Sequence, residues 1–197
     1  MGRRKSDHPA ADGTAVPTAA NTNGVLFWPV VVLVVVADLV TKALAAYVLA
    51  PAGFPHELAG QWVRLTLVYN PGAAFGLHLG PWSRGIFLLL TGVVLRAVWR
   101  LYRATPDRDN RRVFALALLA AGAVGNALTR LLSDDGVIDF VDLGVRTHRW
   151  PTFNLADVAV TAGAVLLCRV LWGADARAGA SQASPDLSLG PSTAELA

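Results

Sequence analysis

The chain is 197 residues long, 54% hydrophobic and only 16% charged, with 17 Lys and Arg against 14 Asp and Glu for a net charge of +3. Soluble domains carry about 25% charged residues, and here the apolar residues are gathered into four long runs, so an ordinary soluble enzyme is excluded. A single cysteine, Cys168, rules out an internal disulfide and a cysteine-based metal cluster.

Residues 1–24 contain Arg3, Arg4 and Lys5 among small, polar and Pro/Gly residues and read as a disordered tail. The apolar runs follow at 25–50, 85–103, 113–132 and 155–173, with lengths of 26, 19, 20 and 19 residues. A membrane span takes about 20 apolar residues. The expected fold is therefore mostly α, a polytopic membrane protein with four transmembrane helices and residues 25–173 as its membrane domain. The first run begins like a cleaved signal peptide, but a signal h-region covers only about 7–15 residues. This run is 26 long and carries Asp38 and Lys42, so it reads as a retained span. Cys168, inside the fourth run, is expected to be a small buried hydrophobe. Residues 174–197 are small, polar and proline-containing and read as a second disordered tail.

Basic residues are retained on the cytoplasmic side of a membrane. Arg3, Arg4, Lys5, the cluster Arg96, Arg100, Arg103, Arg108, Arg111 and Arg112, and Arg169 with Arg177 make 11 on one side. Arg64, Arg84, Arg130, Arg146 and Arg149 make 5 on the other. Both termini are thus expected in the cytoplasm, and the connectors 51–84 and 133–154 outside it. In the first connector, Val63, Leu65, Leu67 and Tyr69 alternate with Arg64 and Thr66, the period of a strand with one buried face. Asn70-Pro71-Gly72 closes that strand as a turn. Residues 137–145 form a second extended piece, and together the two predict a small extracytoplasmic β-sheet on the outer rim.

Several polar residues sit where hydrocarbon should not tolerate them. Asp38 and Lys42 are four apart on one helical face, acid toward the N-terminus. Each ionisable group at the bilayer centre costs about 2.5–3.5 kcal/mol on insertion scales, so the pair must face protein or water. It is either a self-neutralising structural pair or the support of a site. Residues 70–76, NPGAAFG, taken alone are a turn whose small residues allow close backbone approach. In the third run, Gly122 and Gly125 with Ala121 and Ala123 offer a surface for close helix packing. Asn126 and Arg130, again four apart, point the same way near its outer end.

Two aspartates carry the chemistry. Asp139 stands among Val137, Ile138, Phe140 and Val141, and Asp157 opens the fourth run, both near the outer membrane surface. Two carboxylates brought together share a proton. One can then deprotonate water while the other protonates the leaving group or polarises the carbonyl, without metal or cofactor. Asp157 alone could instead be a helix N-terminal acid. Asp142, three beyond Asp139, is the alternative partner, whereas Asp134 and Asp135 lie in a Ser/Asp/Gly turn and read as solvated. His8, His56, His78 and His148 show no HExxH-like spacing, which disfavours metal hydrolysis.

Five pieces in fixed order now resemble the lipoprotein signal peptidase (signal peptidase II) family: Asp38 with Lys42, NPGAAFG, GNALTR, GVIDF, and FNLAD preceded by Trp150-Pro151. The resemblance covers about residues 25–173. It implies an aspartic endopeptidase of the bacterial inner membrane that removes signal peptides from prolipoproteins, cutting before a diacylglyceryl-modified cysteine. It assigns the catalytic pair to Asp139 and Asp157, and support or substrate binding to Asp38, Lys42, Asn70, Gly72, Asn126, Arg130 and Asn154. It implies no metal, no cofactor and no nucleic acid. The partners are lipidated prolipoprotein and membrane lipid, and the enzyme is expected to be a monomer. The family usually has an aspartate just before the third-run arginine, where this chain has Thr129. A transporter relay through Asp38, Lys42 and Arg130, or a scaffold built on small-residue packing, are the competing functions. The first needs a continuous polar lining that the second run, with little beyond Thr91, does not supply.

Overall fold

The computed structural model describes residues 22–71 and 80–182. Gly72, His78 and both chain ends (1–21 and 183–197) lie outside the described residues. Four helices are long and apolar enough to cross a membrane: α1 (Gly24–Val48), α2 (Ser83–Arg103), α3 (Asn110–Leu132) and α4 (Leu155–Gln182). A four-stranded antiparallel sheet fills the connectors in the order β1 (Pro55–Ala59), β2 (Val63–Asn70), β3 (Val137–Val145) and β4 (His148–Arg149). A 3-10 turn at Gly80–Trp82 leads into α2. The chain is a multi-pass membrane protein.

The lipid-facing surface of the bundle is apolar, and the ionisable residues of α1 face the interior, as a lipid solvent requires. On α1 the outward positions are Val25, Val32, Leu33, Val36, Val40 and Leu44, whereas Asp38 and Lys42 are buried. Helix α3 is the central element and touches the other three. Its small residues make this possible. A Cβ on Gly122 would strike the backbone carbonyl of Ala156 and the side chain of Val160, and one on Gly125 would sit 2.5 Å from the Asp38 carboxylate. The closely packed α3 face expected from Gly122 and Gly125 is therefore the seat of both α4 and α1. Asp109 starts α3 by accepting the Arg112 N–H through its side chain. At one end of the bundle Phe27, Val31, Val98, Tyr102, Val113 and Leu116 form the main apolar cluster. At the other, Ala45 and Leu49 of α1 pack under Leu67, joined by Leu65, Ile138 and Phe140, which seats the sheet on the helices.

Three expectations need correction. Cys168 is exposed, because it lies on the outward face of α4, where apolar side chains meet lipid instead of a protein core. The fourth span covers the expected 155–173, but helix α4 continues nine residues further, to Gln182, into the expected disordered tail. The extension contains Ala174, Ala176, Ala178 and Ala180, and alanine is the best helix former. The alternation in β2 also breaks. Leu65 pairs with Val141 but Val68 pairs with Asp139, so β2 has one extra residue there, a bulge. Beyond it every side chain changes face: Thr66 and Leu67 are both buried, Tyr69 turns outward and Asn70 turns inward. Strands β1 and β4 were not foreseen. All five β1 residues are exposed, and β4 has two residues, too few for any period.

Candidate active site

The site lies where β3, the end of β2 and the N-terminus of α4 meet the inner face of α1 and α3. The bulge places Asn70 opposite Val137, two residues along from the Val68–Asp139 pair and on the same face. Its amide Nδ2 donates to Asp139 Oδ2 at 3.1 Å. The turn before β3 must hug this corner. Gly136 adopts a φ of +107°, and any side chain there would strike the backbone at Asn70 and Pro71.

Asn154 immediately precedes α4 and ties both aspartates together. Its Oδ1 accepts the Asp157 N–H at 3.0 Å, while Asp157 Oδ2 accepts the Asn154 N–H at 3.1 Å, a reciprocal capping box. The Asn154 Nδ2 donates to Asp139 Oδ1 at 2.7 Å. Both carboxylates are thus bonded to the fully buried Asn154, Asp139 by its side-chain Nδ2 and Asp157 by its backbone N–H, and among the described residues no hydrogen bond joins the two acids directly. Asp157 is at once the N-terminal acid of its helix and a member of the acid pair.

The support extends inward. Asn126 Nδ2 donates to Asp157 Oδ1 at 2.8 Å, and Asn126 Oδ1 accepts from Lys42 Nζ at 2.8 Å and from Asn154 Nδ2 at 3.2 Å. Lys42 also donates to Asp38 Oδ2 at 2.7 Å, both side chains being 2% exposed or less. The other Asp38 oxygen accepts the Ala156 N–H at 2.9 Å, capping α4 from across the bundle. Lys42 therefore dictates which way the Asn126 amide points, and Asp38 holds both Lys42 and the helix that carries Asp157. The buried charges neutralise each other and fix the site together.

Burial pushes the Asp139 carboxyl up to about 6 from an ordinary value of 3.8, with the neighbouring Asp157 charge acting in the same direction and the Asn70 and Asn154 amides opposing it. An acid so placed changes protonation near neutral pH. Asp142 is occupied elsewhere. It accepts from Thr66 Oγ1 at 3.2 Å and from Arg149 Nε at 2.8 Å, and Arg149 also bonds the Gln61 carbonyl. This clamp ties Asp142 to β2 and β4, and among the described residues Asp142 has no hydrogen bond to Asn126, Asn154 or Asp157. Reading the sequence had placed Arg149 only in the charge balance; its partner three residues beyond Asp139 was the available signal. Asp134 is almost fully exposed and pairs with Arg84.

Arg130 shares a cavity of about 420 Å³ with Asp157, Asn126, Phe87 and Thr161. Its Nη1 donates to the Asn126 carbonyl at 3.3 Å and its guanidinium lies 5.1 Å from the Phe87 ring centre. Among the described residues the buried Nε has no hydrogen-bond partner. Thr129, standing where an aspartate was expected, turns its hydroxyl back onto the Gly125 carbonyl at 3.0 Å, so Arg130 has no carboxylate in ion-pair contact among the described residues. Phe87 holds it instead, a contact with no sequence signal. On the other side of Asp157 a second groove of about 470 Å³ is lined by Leu143, Trp150, Phe153, Val158 and Thr161. Asp157 thus faces two clefts, one with a cationic wall and one apolar.

Residues 30–172 match the family model described as signal peptidase (SPase) II. A lipoprotein signal peptidase of Cupriavidus necator is 42% identical over 153 residues, covering 76% of this chain and 84% of that protein. One of Paraburkholderia phytofirmans is 40% identical, covering 78% and 89%. A bacterial membrane enzyme structure at 2.3 Å resolution superimposes with a TM-score of 0.68 at 26% identity, covering 85% of this chain and 95% of that one. A second, at 1.9 Å, gives 0.66 at 30% identity over 75% and 92%.

Proposed function

The chain belongs to the signal peptidase II family and is a membrane-spanning peptidase that cleaves prolipoprotein signal peptides, and from that premise we propose that Asp139 and Asp157 are its catalytic pair. The observation that carries this assignment is Asn154, whose side-chain Nδ2 donates to the Asp139 carboxylate and whose backbone N–H donates to the Asp157 carboxylate, with Asp139 held near 6 by burial. Asp157, with both oxygens accepting N–H bonds at a helix N-terminus, is the carboxylate that takes a proton from water. Asp139 carries the shared proton.

Water oxygen attacks the scissile carbonyl carbon as its proton passes to Asp157 and the Asp139 proton passes to the carbonyl oxygen. The tetrahedral intermediate then collapses. The C–N bond breaks, the leaving nitrogen takes the proton held on Asp157, and a hydroxyl proton of the intermediate returns to Asp139. The products are a signal peptide carboxylate and a free amine on the lipoprotein. Asn70, Asn126 and Asn154 fix the two carboxylates, Lys42 and Asp38 fix Asn126 and the start of α4, and Arg130 offers N–H donors to substrate carbonyls beside Asp157. The family's glycine at position 72 falls next to Asn70 and is proposed to admit the substrate backbone.

The substrate is a prolipoprotein whose cysteine bears diacylglycerol. Two clefts that open on one carboxylate, at the junction of bundle and sheet, suit a ligand that is part lipid and part extended peptide. The peptide can pair with an edge of the sheet while the acyl chains remain in hydrocarbon. The bacterial inner membrane, with cytoplasmic termini and the sheet on the outer face, fits the 11-to-5 division of basic residues. The enzyme acts as a monomer. The test is mass mapping of the product from paired prolipoproteins with and without diacylglycerol. Cleavage before the lipidated cysteine, and much slower cleavage of the unmodified chain, are expected; equal rates would remove the lipid from the recognition.

A further inference from the structure

We propose that the last turns of α2 form a binding site for an anionic phospholipid, with the headgroup phosphate on Arg96, Arg100 and Arg103 and the acyl chains along Leu89 and Val93. Positions 89, 93, 96, 100 and 103 follow steps of four, three, four and three, so they share one face of the helix. That face is outward, Leu89 being 72% and Val93 58% exposed, while Val98 and Tyr102 turn to the core. It therefore runs from hydrocarbon-like to cationic along one line, the amphiphilic pattern of a phospholipid. The three arginines span about 10 Å at 1.5 Å per residue, enough to meet a headgroup at more than one depth.

The arginines have no competing partner. Among the described residues none of the three forms an ion pair, with Asp107 of the following connector or with any other acid, and Asp109, the next acid, caps α3. Aromatic rings complete the site. Trp99 and Trp28 are 44% and 53% exposed and lie 6.4 Å apart, and the Arg103 guanidinium stands 6.0 Å from the Trp99 ring centre. Indole rings favour the headgroup level of a bilayer, and the cation–π contact pre-orients Arg103 there. The proposal is independent of the assignment of the aspartates, since this stripe is at the opposite end of the bundle from the sheet.

The test is native mass spectrometry of the full chain in detergent titrated with phosphatidylglycerol or phosphatidylcholine, for wild type and two double variants of equal charge. Arg100→Gln/Arg103→Gln removes two of the three stripe arginines, and Arg108→Gln/Arg111→Gln removes one arginine of the connector and one in the first turn of α3. Near a membrane surface each arginine contributes enough that losing two should weaken phosphatidylglycerol binding roughly thirtyfold. That loss in the stripe variant, with near wild-type binding in the connector variant, is expected. Equal losses in both would reduce the effect to general charge, and equal retention of phosphatidylcholine by wild type would remove the anionic selectivity; either overturns the proposal. If the stripe variant does not fold, the single Arg100→Gln is measured against Arg108→Gln with the same expectation at roughly fivefold.

Discussion

The elevated Asp139 carboxyl makes a prediction about stability that is separate from turnover. Asp139 is 3% exposed, and its ordinary value of 3.8 becomes about 6 in the folded protein. Because the folded state holds its proton more tightly than the unfolded state, ionisation disfavours folding. The penalty is absent well below 3.8, grows as pH rises, and is complete above about 6. A shift of roughly two units corresponds to about 3 kcal/mol. Asp139→Asn removes the titration. It also exchanges one acceptor oxygen for an amide facing the Asn70 or Asn154 donor, a pH-independent cost of about 1–3 kcal/mol. The informative quantity is therefore the difference between variant and wild type as a function of pH. Thermal unfolding in detergent, followed by circular dichroism, should show the variant gaining on wild type by roughly 6–12 °C between pH 4 and pH 7. A difference that is constant over that range, or that moves against the variant as pH rises, would refute the burial argument.

Asn70→Ala removes a hydrogen bond that favours the charged form of Asp139, so the alkaline limb of the pH–rate profile, where Asp139 loses its proton, should move to higher pH; an unmoved limb would detach Asn70 from the site. Asn154→Ala removes the side-chain bond to the Asp139 carboxylate and the side-chain cap on the Asp157 N–H and should cut the rate by roughly 5- to 150-fold, which unchanged cleavage kinetics would contradict. Gly125→Ala forces a methyl onto the Asp38 carboxylate; despite alanine's better helix propensity it should lower the unfolding temperature, and a stabilised variant would show that Asp38 can yield. Reporter fusions at Pro106 and Asp175 should read cytoplasmic and those at His56 and Asp135 extracytoplasmic, the reverse pattern overturning the orientation. Chelator treatment should leave the cleavage rate unchanged, and loss of rate restored by added metal would contradict the two-acid mechanism.

Much of the fold was legible because a membrane span is written in length and hydropathy, and α1 to α3 begin and end within three residues of the runs seen in the sequence. Strand β3 spans the expected 137–145. The pairing of Asp38 with Lys42 followed from spacing, but its second duty, capping α4 across 118 residues of chain, did not. No local pattern encodes a contact between helices. The bulge in β2 was equally hidden. One extra residue exchanges Tyr69 for Asn70 on the buried face, and only the register with β3 reveals it. Residue chemistry alone left Asp142 as the alternative to Asp139, and only the family resemblance favoured Asp139; that Thr66 and Arg149 engage Asp142 was not legible, because both contacts cross between strands. Cys168 misled because an apolar surrounding means core in water and surface in lipid.

The central claim is that Asp139 and Asp157 act as one catalytic unit, and the most direct measurement is cleavage rate beside substrate binding for purified Asp139→Asn, Asp157→Asn and the double variant, using a diacylglyceryl-modified prolipoprotein. Each single variant should bind substrate and fail to cut it, and the double variant should be scarcely slower than either, as expected of residues that work together. Near-normal cleavage by Asp139→Asn would take the acid role away from that residue, and near-normal cleavage by Asp157→Asn would dissolve the pair.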